Sequence, residues 1–139
     1  MASVNYNSFW EDLARGAIDM DTDAFKIMLV TSAYAPNKDT DLKRSNVTNE
    51  VVGAGYTAGG LATTCTVTKD LATDQIKFSF SGATWPTSTI TARAAIIYKS
   101  RGGAATADEL VTYGDFLADK TSSAGNFVVS ETAPIIIQN

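Results

Sequence analysis

The chain has 139 residues, with 11 basic and 15 acidic side chains, no histidine and one cysteine. That length suits one domain. Without histidine, Ser-His-Asp and Cys-His mechanisms are excluded within the chain, as are zinc sites of the Cys/His type.

The net charge of −4, with Lys43-Arg44 the densest cationic pair, argues against nucleic acid as a partner, because phosphate-backbone affinity comes from clustered cations. Cys65, the lone cysteine, cannot close an intrachain disulfide and reads as a small buried hydrophobe. The start, Met1 to Tyr6, lacks a basic stretch followed by an apolar run, and no apolar run approaches the ~20 residues that cross a bilayer. The expectation is a soluble chain made in a cytoplasm, with no membrane partner.

In chain order, the first element is helical. Phe9, Leu13 and Ala17 fall on one stripe with Trp10, Ala14 and Ile18 beside it, which predicts a helix over 8–17. Ser8 with Glu11 three residues later matches a capping box. Gly16 and the tract Asp19-Met20-Asp21-Thr22-Asp23 should end the helix. Asp19, Asp21 and Asp23 have the spacing that opens an EF-hand loop. Ala24 stands where that loop needs glycine and Val30 where it needs glutamate, so a solvated acidic turn is the reading and no metal is assigned.

Strands and turns follow. Residues 25–31 place Phe25, Ile27 and Leu29 on one face, and 62–68 form a Thr-rich β-branched run. Residues 75–81 alternate cleanly, with Ile76, Phe78 and Phe80 inward. Further strands are expected at 90–99, 110–116, 127–130 and 133–137, with a turn at 100–103 and a polar loop at 120–126. Pro134 should sit at a strand start or on an edge. Phe25, Phe78, Phe80, Phe116 and Phe127 are the candidate core. Seven or eight strands at this spacing predict a mainly β, jelly-roll-like antiparallel sandwich with a short N-terminal helix, one domain over 1–139 that includes an N-terminal arm and helix at 1–18.

Two stretches interrupt the strand rhythm. The polar excursion 33–45 is long enough to reach a partner. The glycine-rich stretch 53–60 resembles a dinucleotide fingerprint only loosely, because its third glycine is one position late and no helix follows, so it reads as a tight loop with Tyr56 exposed. Asn46-Val47-Thr48 matches a glycosylation sequon and reads as turn chemistry. Glu11, Glu50, Glu109 and Glu131 cannot be paired into a catalytic couple from sequence, and no catalytic residue or cofactor is assigned. Trp85, before Pro86 in a Thr/Ser-rich turn, is expected as a buried corner aromatic or, with Tyr34 and Tyr56, as a stacking platform for sugars.

Three runs carry a family likeness. They are 46–60, with Asn46-Val47-Thr48 and Gly53-Ala54-Gly55-Tyr56; 83–98, with Trp85-Pro86 and Ala94-Ala95-Ile96-Ile97-Tyr98; and 113–127, opening Tyr113-Gly114-Asp115-Phe116. They resemble small structural proteins of tailed bacteriophages, in particular the capsid cement, or decoration, proteins of short-tailed Bordetella-type phages. The resemblance implies a jelly roll, a homodimer, attachment to the major capsid protein on the outside of the virion, and no catalysis. The contact elements expected on this reading are Tyr6, Phe9 and Trp10, the 34–44 loop with Tyr34, Lys43 and Arg44, and Tyr56 in the glycine-rich loop. The alternatives are a tail- or fibre-associated structural protein and a carbohydrate-binding jelly roll.

Overall fold

A computed structural model describes residues 2–130 and 134–139. In chain order the elements are β1 (Ala2–Asn5), α1 (Asn7–Ala14), β2 (Phe25–Val30), β3 (Leu61–Thr63), β4 (Cys65–Asp70), β5 (Gln75–Phe80), β6 (Ala83–Lys99), β7 (Leu110–Val129) and β8 (Ile135–Gln138). Two antiparallel sheets result, ordered β1-β7-β6-β2-β3 and β4-β5-β8. The expected β-sandwich of seven or eight strands with a short N-terminal helix is therefore the observed architecture.

Side-chain alternation explains the layering. Phe25, Ile27 and Leu29 of β2 meet Ala95 and Ile97 of β6, Phe78 and Phe80 of β5 and Ile135 of β8 in the core between the sheets. Met28 and Val30 point the other way, and with Ala94, Ile96, Tyr98 and Tyr113 they form a second apolar cluster closed by Tyr6 and Tyr34. The five-stranded sheet is thus buried on both faces around β2, which is why β2 reads as an almost continuous apolar run.

Several boundaries differ from the sequence reading. The helix ends at Ala14, and its N-cap is Tyr6, with no side-chain cap bond. The Ser8–Glu11 capping box does not form: Ser8 lies inside the first turn with its hydroxyl buried and unpartnered, and Glu11 instead pairs with Arg15 at 2.9 Å. The Thr-rich run at 62–68 is two strands in different sheets, broken at Thr64. Ser81 holds that crossover, its Oγ accepting from Thr64 N at 3.1 Å. The expected strands at 110–116 and 127–130 and the loop at 120–126 are one 20-residue strand, β7. β6 likewise begins at Ala83, and Trp85-Pro86 lies within it; the strand accommodates Pro86 at a register shift between Trp85 and Ser88. There is no turn at Trp85. Pro134 directly precedes the edge strand β8, and Ala133 lies outside the described residues.

Candidate contact surface

Most side chains expected to meet a partner are packed into the chain itself. Tyr6 and Phe9 are each 0% exposed and Tyr34 is 5% exposed. The Tyr6 and Tyr34 hydroxyls are 3.0 Å apart, and Tyr34 donates to Asp41 Oδ2 at 2.7 Å. Burial, more than any neighbour, drives both phenols well above the ordinary tyrosine range. Phe9 enters the core between the sheets, with Trp10 half-buried against its ring at 4.8 Å. Tyr6 and Tyr34 tie the N-terminal arm and the long loop together on one face of the five-stranded sheet, while Phe9 and Trp10 hold the helix on the other, which corrects their assignment as surface contacts.

The polar excursion folds back rather than reaching out. Arg44 Nε donates to Asp108 Oδ2 at 2.7 Å while its guanidinium lies 5.1 Å from the centre of the Tyr98 ring. Lys43 Nζ sits 3.2 Å from Glu109 Oε1, and Arg101 grips the same carboxylate through Nε and Nη2. Asp108 and Glu109 are 1% and 3% exposed, so both cations hold buried charges in place. In the sequence Glu109 reads only as an unpaired acid, and nothing beyond two consecutive acids entering a strand marks Asp108 as its neighbour in a buried pair.

This charge arrangement predicts an acid-sensitive fold. Burial alone would raise the Glu109 pKa, but the Arg101 and Lys43 cations outweigh it and hold it below the usual glutamate value. Lys77 holds the Asp70 carboxyl down at about 2, and Arg93 lowers Asp115. A carboxylate depressed in the folded state contributes stability above its unfolded pKa and loses it as pH falls through the folded one. Asp12, raised by burial, works in the opposite direction. Urea midpoints should therefore hold steady from about pH 7 to 5 and fall between about pH 4 and 2. Glu109→Gln should flatten part of that slope, and equal midpoints at both ends would contradict the assignment.

The glycine-rich loop is pressed against β6. A Cβ on Gly53 would stand 2.5 Å from Thr89 O, and one on Gly55 would stand 2.8 Å from Ser88 Cα. These glycines therefore permit close backbone approach rather than phosphate binding. Tyr56 is half-buried, not exposed: its hydroxyl donates to Glu50 Oε1 at 2.7 Å and accepts from Leu29 N at 3.0 Å. Its ring stacks on Trp85 at 5.8 Å, and Trp85 meets Phe127 edge-on at 6.2 Å. Phe127 in turn lies 6.3 Å from Phe116. With Trp85 1% and Tyr34 5% exposed, the platform expected for sugar stacking is not presented to solvent.

The acids of the helix–strand connection form a closed turn. Asp19 Oδ1 accepts from the Asp21 and Thr22 amides at 2.9 and 3.2 Å, and Asp23 Oδ2 pairs with Lys99 at 2.7 Å. Among the described residues no three His, Cys, Asp or Glu side chains gather as a metal site. Glu131 lies outside the described residues. Cys65 is partly buried, and desolvation pushes its thiol up to about 11. Alkylation by iodoacetamide at pH 8 should run about 100-fold slower than at an ordinary thiol, through loss of thiolate; a mass-spectrometric time course checks this.

No family model, curated protein or solved structure matches the chain. The outward-facing surface carries charged side chains such as Arg15, Glu11, Lys38 and Asp39, together with isolated apolar side chains and unpaired strand edges. Val52, Leu71, Leu117 and Val128 are 95%, 75%, 63% and 60% exposed. The β4–β5 hairpin tip, with Leu71 and Ile76, borders a cavity of about 260 Å³ together with Ile137 of β8. A second cavity of about 340 Å³ runs along β7 and is lined by Phe116, Lys120, Phe127 and Val129, among others. No helix among the described residues is long and apolar enough to cross a membrane.

Proposed function

We propose that this chain is a non-enzymatic virion structural protein, a capsid cement or decoration protein of the jelly-roll type that binds the major capsid protein on the outside of a phage head. The three runs that resemble phage cement proteins support this reading through their placement. The 46–60 run lies on the 83–98 run, joined by a bridge between Ala54 and Thr89, and the 83–98 run pairs with the 113–127 run along β6 and β7. The aromatic row Tyr56, Trp85, Phe127, Phe116 passes through all three. A likeness spread over distant stretches thus falls on one continuous structural unit.

The chemistry fits a role in coating. Several of the charged groups that look reactive in sequence hold loops to sheets, and exposed edges, isolated apolar side chains and surface charges are the material for contact. A protein that binds an assembled shell but not its free subunits stabilises the shell by mass action, and repeated copies at symmetry-related positions turn modest contacts into strong attachment. On this reading the chain is made in the host cytoplasm, pairs as a homodimer and joins the capsid exterior. Co-sedimentation with shells lacking the protein should show saturable binding, and no binding to shells would overturn the reading. Saturable binding to tails alone would move the protein to the tail.

A further inference from the structure

β7 is bonded to β6 on one edge along most of its length; elsewhere β1 pairs with it at 112–115, and backbone bonds join Val111 to Tyr6 and Leu110 to Leu42. From 116 to 129 the edge away from β6 carries no strand and no isolated bridge among the described residues. A row of unpaired backbone N–H and C=O groups is a template for an added strand. Leu117 at φ 69° and Ala124 at φ 48° bracket the run 118–123, whose side chains are small or exposed; 120–122 keep register with β6 while 116–119 bulge opposite Arg93. Beside it lies the cavity of about 340 Å³, floored by Phe116 and Phe127 and rimmed by Lys120.

We propose that this edge receives an extended segment of another polypeptide, adding a strand to β7 with one large apolar side chain seated on Phe116 and Phe127 and an acidic residue facing Lys120. Backbone bonds supply affinity in such strand addition, and pockets for alternate side chains supply specificity. Three observations favour this occupant. The same edge already accepts a four-residue extended arm, β1, antiparallel to β7, so the docking mode continues an existing pairing. The left-handed residues at 117 and 124 break the edge into a length that suits a short segment and not a long mutual edge between two copies. The exposed Lys120 beside the cavity also supplies a local positive charge for an acidic side chain of the visitor to meet.

The proposal takes only the partner's identity from the shell-coating reading, and the test separates the two. Amide hydrogen exchange of the full chain would be followed at 116–129 with two probes. The first is shells lacking the protein. The second is a synthetic peptide of alternating valine and threonine with a central phenylalanine beside a glutamate, compared with a twin carrying proline at its centre. Exchange at 117–124 should slow with the shells and with the peptide but not with the proline twin, and Lys120→Glu should weaken peptide binding several-fold. Shell binding with protection elsewhere, and none at 117–124 from the peptide, overturns the strand-addition site while leaving the coating role intact. Peptide protection without shell binding supports the site and removes that role. Protection from neither probe, or protection that grows with the protein's own concentration alone, overturns the proposal.

Discussion

Gly60→Ala is expected to cost more than about 4 kcal/mol, the range in which a domain of ordinary stability ceases to fold. Gly60 enters β3 at φ +75°, and a Cβ there would collide with the carbonyl of Ile27 and approach Met28 Cα to 2.7 Å. Those are backbone atoms of β2, the strand paired on both sides within the five-stranded sheet, so no side-chain rotation relieves the clash. Gly102 provides the control. It has nearly the same conformation, φ +76°, with nothing within 4 Å of an added Cβ, and Gly102→Ala should cost only the left-handed penalty of about 1–2 kcal/mol. Urea denaturation of the two variants separates steric from conformational cost. Equal losses would mean that β3 does not lie against β2 as described.

Trp85→Ala should destabilise the protein by about 3–5 kcal/mol, as for other buried aromatic truncations. Trp85 is 1% exposed, stacked on Tyr56 and edge-on to Phe127. Its removal would leave a void between the glycine-rich loop and β7. Trp85→Phe should cost markedly less, because the ring contacts partly survive and the indole N–H, buried without a partner, is eliminated along with the cost of burying it. Thermal or urea unfolding of both variants tests this. An alanine variant within about 1 kcal/mol of the parent would show that the aromatic row does not join the loop to the hairpin.

The parts of the fold readable in sequence are those where burial imposes a pattern. β5 alternates because one face packs on the core, and the Phe9, Leu13, Trp10 stripe marked α1 even though its cap was misassigned. The long hairpin was not readable. Residues 117–126 carry serine, threonine, alanine and glycine because they are largely exposed, so no alternation distinguishes them from a loop. The split at Thr64 was hidden for the opposite reason, since β-branched residues suit both strands and nothing in their chemistry marks a change of sheet. Tyr6, Phe9 and Tyr34 show a further limit: an aromatic suits an interface and an interior equally, and only the facing residues decide. Asp41 and the Tyr6–Tyr34 hydroxyl contact settle it for the two tyrosines, and they come together across 28 residues of chain.

The most direct test of the shell-coating account is a reconstruction of the intact particle that carries this protein. The account predicts many symmetry-related copies of the sandwich on the outer surface of the head, contacting the major capsid protein. Density for the chain confined to the tail, or absent from the particle, would contradict it.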